Sequence, residues 1–141
     1  GTLTEDTLLD ARTPNYLAAL SEHNGELALA WLDISTGEFW VSAVSAATLL
    51  AELARITPKE ILTSESLSQF AAFRPLLADW KNKLTIQPDH IFDNRRGERK
   101  MKESFAVTSL DVFGAFSPPQ LSACGALLDY MHLTQKTALP R

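Results

Sequence analysis

Acidic side chains are the residues of this chain best suited to metal-assisted chemistry. Asp33 and Glu38 flank a turn-forming stretch and could bind a cation together, and Asp89 and Asp93 lie close to each other further along. Two-metal hydrolysis of a phosphodiester requires several carboxylates that converge on the metal ions. As turn and rim residues, Asp33 and Glu38 need no such function, and Asp89 and Asp93 fit a loop residue and a helix cap. We therefore favour structural roles for all four.

The histidines and the single cysteine do not form a recognisable site. His23, His90 and His132 lack the short spacing of zinc ligands, and one cysteine cannot complete a zinc site. Cys124 lies among apolar residues, which predicts a buried thiol rather than a nucleophile. Neither glycine motif for phosphate, GxxxxGK(S/T) or GxGxxG, occurs. We expect no catalytic residue, no metal and no cofactor in these 141 residues.

A basic run is the remaining candidate site. Its cations are Arg95, Arg96, Arg99, Lys100 and Lys102. The net charge of the chain is −4, which argues against a surface built primarily to bind nucleic acid. A solvated helix face and a protein-binding face remain equally open interpretations.

Composition indicates one ordinary globular domain. Hydrophobic residues make up 45% and charged residues 21% of the 141 residues. No apolar run approaches the roughly 20 residues needed to span a bilayer, and we expect no signal peptide and no membrane contact. A single cysteine fits a reducing compartment, so a cytoplasmic location is expected.

A hairpin organises the first half of the chain. Residues 27–33 are apolar at both alternating positions, which predicts a strand inside the sheet. Its partner, residues 39–44, is rich in aromatic and β-branched residues that suit a buried surface. Gly37 can take a positive φ between them. A strand over residues 15–20 and a turn over residues 21–25 precede the hairpin and complete a meander.

After residue 44, the spacing of the apolar residues changes from a period of two residues, typical of a strand, to about 3.6 residues, typical of a helix. Ser45 is a suitable N-cap for a helix that places Leu49, Leu50, Leu53 and Ile56 on one face. Three further segments follow: a parallel strand over residues 60–63, a second helix capped by Ser64 or Ser66 that carries Leu67, Phe70, Ala71 and Phe73, and a fifth strand over residues 83–87.

Two helices follow the fifth strand, and a helical turn is also predicted near the start of the chain, within residues 4–9. Asp93 can cap a helix over residues 94–105 whose apolar positions are Gly97, Met101 and Phe105. The last helix begins after Ser117, with proline at its first position and glutamine at its third, and should run to about Thr134. Its apolar stripe consists of Leu121, Cys124, Leu127, Leu128 and Met131.

This element order predicts an RNase H-like α/β fold. An antiparallel three-strand meander is extended by two crossover strands and flanked by helices, whereas a Rossmann or ferredoxin-like fold would not begin with three consecutive strands. A metal-dependent nuclease of this fold needs an acid in the middle of its first strand. Residues 16–20 hold none. The nuclease interpretation is kept as the alternative.

Four stretches of the chain resemble the MutS family of DNA mismatch repair proteins. They are GTLT at residues 1–4, NYLAA at residues 15–19, LDISTGEF at residues 32–39 and TQKTALP at residues 134–140. The resemblance covers essentially the whole chain. It implies a connector domain of RNase H-like fold without nuclease activity over residues 1–115. Residues 116–141 would then be the first helix of the following core domain.

The resemblance also implies a function and partners. The family's connector relays conformational change between the mismatch-binding part and the ATPase, and it helps to dock MutL. Mismatched DNA and ATP would be bound only by parts of the protein outside this chain. We take the exposed side of the basic helix, with Arg95, Arg99, Lys100 and Lys102, as the predicted contact with MutL. A binding domain without repair partners is a third interpretation.

The stripe on the last helix carries a further expectation. If that helix belongs to the next domain, its apolar residues lack their partners here, at roughly 1.5–3 kcal/mol per large side chain. The helix must then fold back on the α/β body, fray, or pair with another copy. Pairing recovers the most area, so self-association through this helix is expected.

Overall fold

The computed structural model describes residues 14–75 and 77–138, so the helical turn predicted within residues 4–9 lies outside the described part. Its centre is a five-stranded mixed sheet in the order β3-β2-β1-β4-β5. The strands are β1 (Tyr16–His23), β2 (Glu26–Asp33), β3 (Phe39–Val44), β4 (Glu60–Ser64) and β5 (Leu84–Gln87). β1, β2 and β3 pair antiparallel, whereas β4 and β5 extend the sheet in parallel beyond β1. The predicted RNase H-like arrangement is confirmed.

β1 is longer than the sequence predicts. It continues through Ser21 and Glu22 to His23, which pairs with Glu26, and only Asn24 and Gly25 form the turn, both at positive φ. The polar residues stay in the strand because the last helix supplies partners for them. Ser21 donates to the carbonyl oxygen of Pro119, which lies in that helix. The predicted turn over residues 21–25 is therefore wrong at its first three positions.

β2 lies inside the sheet as predicted, and only its first residue is exposed. Asp33 is buried at its end and accepts a hydrogen bond from the backbone N–H of Ser35 at 2.9 Å. Gly37 has a φ of +82° in the turn that follows. β3, in contrast, is an edge strand with no fully buried residue, and the expectation that its surface is buried is wrong.

The crossover to β4 is the helix α1 (Ala46–Ile56). Ser45 caps it through a reciprocal pair of hydrogen bonds with Thr48, as the sequence indicates for the cap. Leu49, Leu53 and Ile56 are buried against one face of the sheet, but Leu50 is 40% exposed and does not share their face.

The second predicted helix is reduced to a single turn, α2 (Glu65–Ser68), capped by Ser64. Phe70 and Ala71 follow in an irregular segment, and Phe70 is 43% exposed rather than part of an apolar helix face. A 3-10 helix (Ala78–Lys83) then leads into β5, so Lys83 precedes the strand.

The other face of the sheet is covered by α3 (Asn94–Phe105) and α4 (Pro118–Ala138). Short 3-10 helices precede each of them, Asp89–Phe92 and Leu110–Phe113. Asp93 caps α3 through the N–H of Arg96, and Ser117 caps α4 together with Gln120. Both predicted starts are confirmed, and α4 runs four residues past the predicted end. No helix among the described residues is long and apolar enough to cross a membrane.

The apolar stripe of α4 packs against the sheet of its own chain. Leu121, Cys124, Leu127 and Leu128 are buried in one cluster with residues of β1 and β2, and Met131 packs at its margin. α4 therefore folds back on the α/β body. The reason given for self-association, a stripe without a partner, is wrong.

Candidate functional site

The basic residues project from α3 because its other positions are used for packing. Gly97 and Met101 are buried at the interface with α4, as the sequence predicts, whereas Phe105 is 40% exposed. A 12-residue helix anchored along one stripe leaves its remaining positions to polar side chains, five of which are cations. The basic residues next to that stripe contact α4, whereas those farther from it face solvent.

Two of the cations next to the interface form ion pairs with α4. Arg96 Nη2 lies 2.6 Å from Asp129 Oδ2, and Lys100 Nζ lies 3.3 Å from Asp129 Oδ1. Burial raises the pKa of Asp129, but hydrogen bonds and charges from Arg96 and Lys100 outweigh burial, and the net pKa is lowered. Lys100 therefore has a structural partner on α4 that the sequence of α3 does not indicate. The signal was Asp129 itself, the one acidic residue in the sequence of α4.

The remaining cations differ in how free they are. Lys102 Nζ lies 2.9 Å from the carboxylate of Glu98, one turn earlier. Arg95 and Arg99 are exposed, four residues apart, and neither has an ion-pair partner among the described residues. Since residues at i and i+4 lie on one side of a helix, the two guanidinium groups can act on the same partner. The other two predicted contacts, Lys100 and Lys102, each lie beside a carboxylate.

A pocket of about 600 Å³ opens beside Arg99. It lies beyond the carboxyl ends of β1 and β4, where ligands of open α/β sheets bind. Asp89, on its wall, accepts hydrogen bonds from the N–H and hydroxyl of Ser66, and these bonds lower the pKa of its carboxyl group. Phe70 stands at the wall as an exposed aromatic ring.

The acidic candidates for metal binding are used within the fold. Asp33 accepts from two backbone N–H groups, Asp93 caps α3, and Glu38 receives a hydrogen bond from Thr36. Because β1 is longer than predicted, it does contain one acid, Glu22. Glu22 lies near the end of the strand and accepts the N–H of Gly25 at 2.6 Å. Within residues 14–75 and 77–138, no group of three or more His, Cys, Asp or Glu residues could hold a metal ion.

The remaining histidines and the cysteine are placed apart from one another. His23 Nε2 and Ser122 Oγ are 2.9 Å apart and join β1 to α4. His90 lines the pocket beside Arg99. Cys124 is fully buried, and burial raises the pKa of its thiol to about 12, which keeps it protonated. The prediction of a buried thiol is confirmed.

Comparison with known proteins agrees with this description. Residues 15–141 match the family model described as MutS domain II. The DNA mismatch repair protein MutS of Cereibacter sphaeroides is 46% identical over 144 residues, which cover 99% of this chain and 15% of that protein. The DNA mismatch repair protein MutS of Ruegeria pomeroyi is 46% identical over 140 residues, which cover 99% of this chain and 16% of that protein. The DNA mismatch repair protein MutS of Wolbachia pipientis wMel is 37% identical over 141 residues, which cover 100% of this chain and 17% of that protein.

The chain therefore spans about a sixth of the length of these relatives. The mixed sheet, with its antiparallel meander and two parallel strands, is the fold that the resemblance implied for this domain. The family match extends across β1 to β5 and through α4. On this evidence the chain belongs to the MutS family of DNA mismatch repair proteins and constitutes its domain II.

Proposed function

We propose that this domain is a non-catalytic connector of a bacterial mismatch repair ATPase. In this proposal it relays conformational change between the mismatch-binding and ATPase parts of MutS and helps to dock MutL. Domain membership and the resemblance support the proposal, and mismatched DNA and ATP are bound by other parts of the protein. The division after residue 115 stays a prediction. The buried contacts of α4 argue for counting that helix with the sheet.

The observation that carries the docking proposal is the pair of unpaired guanidinium groups at Arg95 and Arg99. In a domain of net charge −4, two exposed cations on one helix face would steer an acidic partner and orient it. Lys100 and Lys102 would contribute at the margin, since each already has a carboxylate partner. An Arg side chain can also bind a carboxylate in a bidentate manner.

The relay proposal rests on how firmly α3 is joined to α4. The ion pairs of Asp129 hold the two helices together, and α4 in turn packs on β1 and β2. A force applied to α3 by a docked partner would therefore move α4 with it. Because packed elements shift as units rather than deform continuously, the domain would transmit such a force as one body.

The docking proposal is tested by charge reversal in a full-length MutS that carries this domain. Association with MutL is measured on mismatched DNA with ATP, for the double variant Arg95→Glu and Arg99→Glu. We expect association about tenfold slower at low salt, and a weaker salt dependence, because steering by the two charges is reversed. The matched control reverses Arg74 and Lys81, two exposed cations beside the edge strand β5, near the face of the sheet that α3 does not cover. Equal effects in the two double variants would refute the site.

The alternative of a metal-dependent nuclease makes a different prediction. It requires magnesium-dependent cleavage of duplex DNA, RNA–DNA hybrid or four-way junction, lost on Asp33→Asn. The connector proposal expects no cleavage, because Asp33 binds backbone N–H groups at the end of β2.

A further inference from the structure

The strand β3 leaves one edge of the sheet open. Its inner edge pairs with β2, and no strand of the described chain pairs with its outer edge. The N–H of Asp33 donates to the carbonyl oxygen of Glu38, just before β3, so the bonds to β2 continue at every second residue from there. The N–H and C=O groups that point away from β2 therefore belong to Phe39, Val41 and Ala43. These groups form a row without a partner strand.

The two edges of this sheet differ in how they are protected against pairing. β5, at the other edge, is four residues long and lies between Lys83 and Pro88, and a short strand, a lysine and a proline all discourage an added strand. β3 has six residues, with the sequence FWVSAV, and it contains no charge, no proline and no glycine. Its register with β2 has no bulge. An edge of this kind is a template for another strand, so a partner strand is expected at β3 and not at β5.

The backbone of β3 is complementary to a second copy of itself. A twofold axis through Val41, perpendicular to the sheet, would bring two copies of β3 together in antiparallel orientation. Each outward N–H and C=O group of one strand would then face a partner group on the other strand. The hydroxyl group of Ser42 donates to the outward carbonyl oxygen of Ala43 at 3.1 Å, and the second lone pair of that oxygen stays available to the partner.

The side chains also match across this axis. The facing pairs would be Phe39 with Ala43, Trp40 with Ser42, and Val41 with Val41. Each aromatic ring would lie opposite a small residue, and no like charges would meet. Trp40 and Ala43 are both exposed in the single chain and would lose solvent contact on pairing. A strand of a different protein would have to reproduce this alternation of large and small residues, which the second copy already has.

We propose that this domain self-associates by joining its β3 to β3 of a second copy, so that two five-stranded sheets form one continuous sheet. The contact spans residues 39–43, about 17 Å of strand, and is smaller than the roughly 800 Å² per partner of a standard interface. The association is therefore weak and depends on concentration. It ends at the dimer, because the protected strand β5 forms both outer edges of the joined sheet. It uses no residue of the proposed docking site for MutL and does not depend on that proposal.

Sedimentation velocity of the 141-residue chain tests the proposal. This chain covers both faces of its sheet with its own helices, so it is measured alone. From about 10 µM to about 1 mM, the range of a weak contact, we expect the sedimentation coefficient to rise from the monomer value toward the dimer value. The variant Ala43→Pro should stay monomeric, because proline removes an N–H that points away from β2 and breaks no bond to β2. Ala43→Lys, which adds a charge at the same exposed position, should also stay monomeric.

Cysteine crosslinking tests the register of the two strands. Val41→Cys should form a disulfide between two copies under mild oxidation, because the two substituted residues face each other across the axis. Ala43→Cys is the matched control, since it lies on the same strand and the same face and is more exposed. Its two copies would lie four positions apart, about 14 Å along the strands, which is too far for a disulfide. We expect Val41→Cys to form linked dimers about tenfold faster, and the native Cys124 is fully buried and does not compete.

A single monomeric species up to about 1 mM would overturn the proposal. Association that persists in both Ala43→Pro and Ala43→Lys would place the contact elsewhere and overturn it too, as would oligomers larger than the dimer. Crosslinking of Ala43→Cys as fast as that of Val41→Cys, or of neither variant, would exclude the twofold pairing. The circular dichroism spectrum of each variant shows whether its fold is intact. None of these outcomes depends on the charge-reversal result at Arg95 and Arg99.

Discussion

Gly97 of α3 and Gly125 of α4 face each other where the two helices cross. A Cβ atom added to Gly97 would overlap the carbonyl oxygen of Leu121, and one added to Gly125 would overlap the Cα atom of Gly97. The helix backbones thus approach more closely than any other pair of residue types would permit. This contact brings Arg96 and Lys100 within reach of Asp129 and leaves Arg95 and Arg99 on the outer side.

Replacing either glycine by alanine should destabilise the domain. Alanine favours a helix over glycine by about 1 kcal/mol, but the added methyl group meets backbone atoms that cannot move aside. Overpacking at a close contact forces the helices apart at a cost of about 1–3 kcal/mol, part of which the helix preference of alanine offsets. We expect a net loss of about 1–2 kcal/mol in the free energy of unfolding. Denaturant titration of Gly97→Ala and Gly125→Ala measures this loss. Ser104→Ala, at an exposed position of α3, should be neutral, and equal stability of all three variants would show that the crossing is adjustable.

Asp129 should make stability depend on acid pH. Its folded-state pKa is lowered, so its contribution is complete above its unfolded pKa and is lost as the pH falls through its folded pKa. Wild type should therefore lose more stability than Asp129→Asn between about pH 5 and pH 2. At neutral pH the variant should be less stable by about 1–2 kcal/mol, because Arg96 and Lys100 lose a charged acceptor. Parallel pH profiles of the two proteins in denaturant titrations would contradict the assignment.

Tyr130 should make the stability of the domain depend on alkaline pH. Its hydroxyl donates to Glu60 at 2.7 Å, and this hydrogen bond, followed by burial and the charge of Glu60, raises the pKa of Tyr130 to about 12. A raised folded-state pKa contributes stability below the unfolded value of about 10, and that contribution is lost as the pH rises through the folded value. Absorbance titration of tyrosinate in wild type and Tyr130→Phe isolates this group. A Tyr130 titration near pH 10 in the folded protein would show that the bond to Glu60 is not maintained.

The local patterns in the sequence predict most of the elements and their caps. Ser45, Asp93 and Ser117 cap helices as expected because each cap is decided within four residues of chain. The order of strands and helices was likewise sufficient for the topology of the sheet, since short connections restrict how consecutive elements can pair.

Two of the errors occur where a distant residue decides the outcome. Ser21 and His23 read as turn residues, but Pro119 and Ser122 give them partners about a hundred residues later and keep β1 extended. In the sequence, Lys100 is one cation among several on α3, and only the packing of α4 brings Asp129 beside it. No local pattern contains that information. Whether each predicted contact residue has an ion-pair partner is therefore decided by the three-dimensional packing and not by the local sequence.

The most direct test of the account is hydrogen exchange in a full-length MutS that carries this domain, with mismatched DNA and ATP, before and after addition of MutL. We predict that MutL slows amide hydrogen exchange in peptides that span Asn94–Phe105, because a partner bound to Arg95 and Arg99 suppresses local unfolding of α3. Peptides that span residues 77–83, which lead into the edge strand β5 and pack on the face of the sheet opposite α3, should exchange as before. Unchanged exchange over α3, with slowed exchange only over residues 77–83 or outside this domain, would contradict a connector that docks MutL through α3.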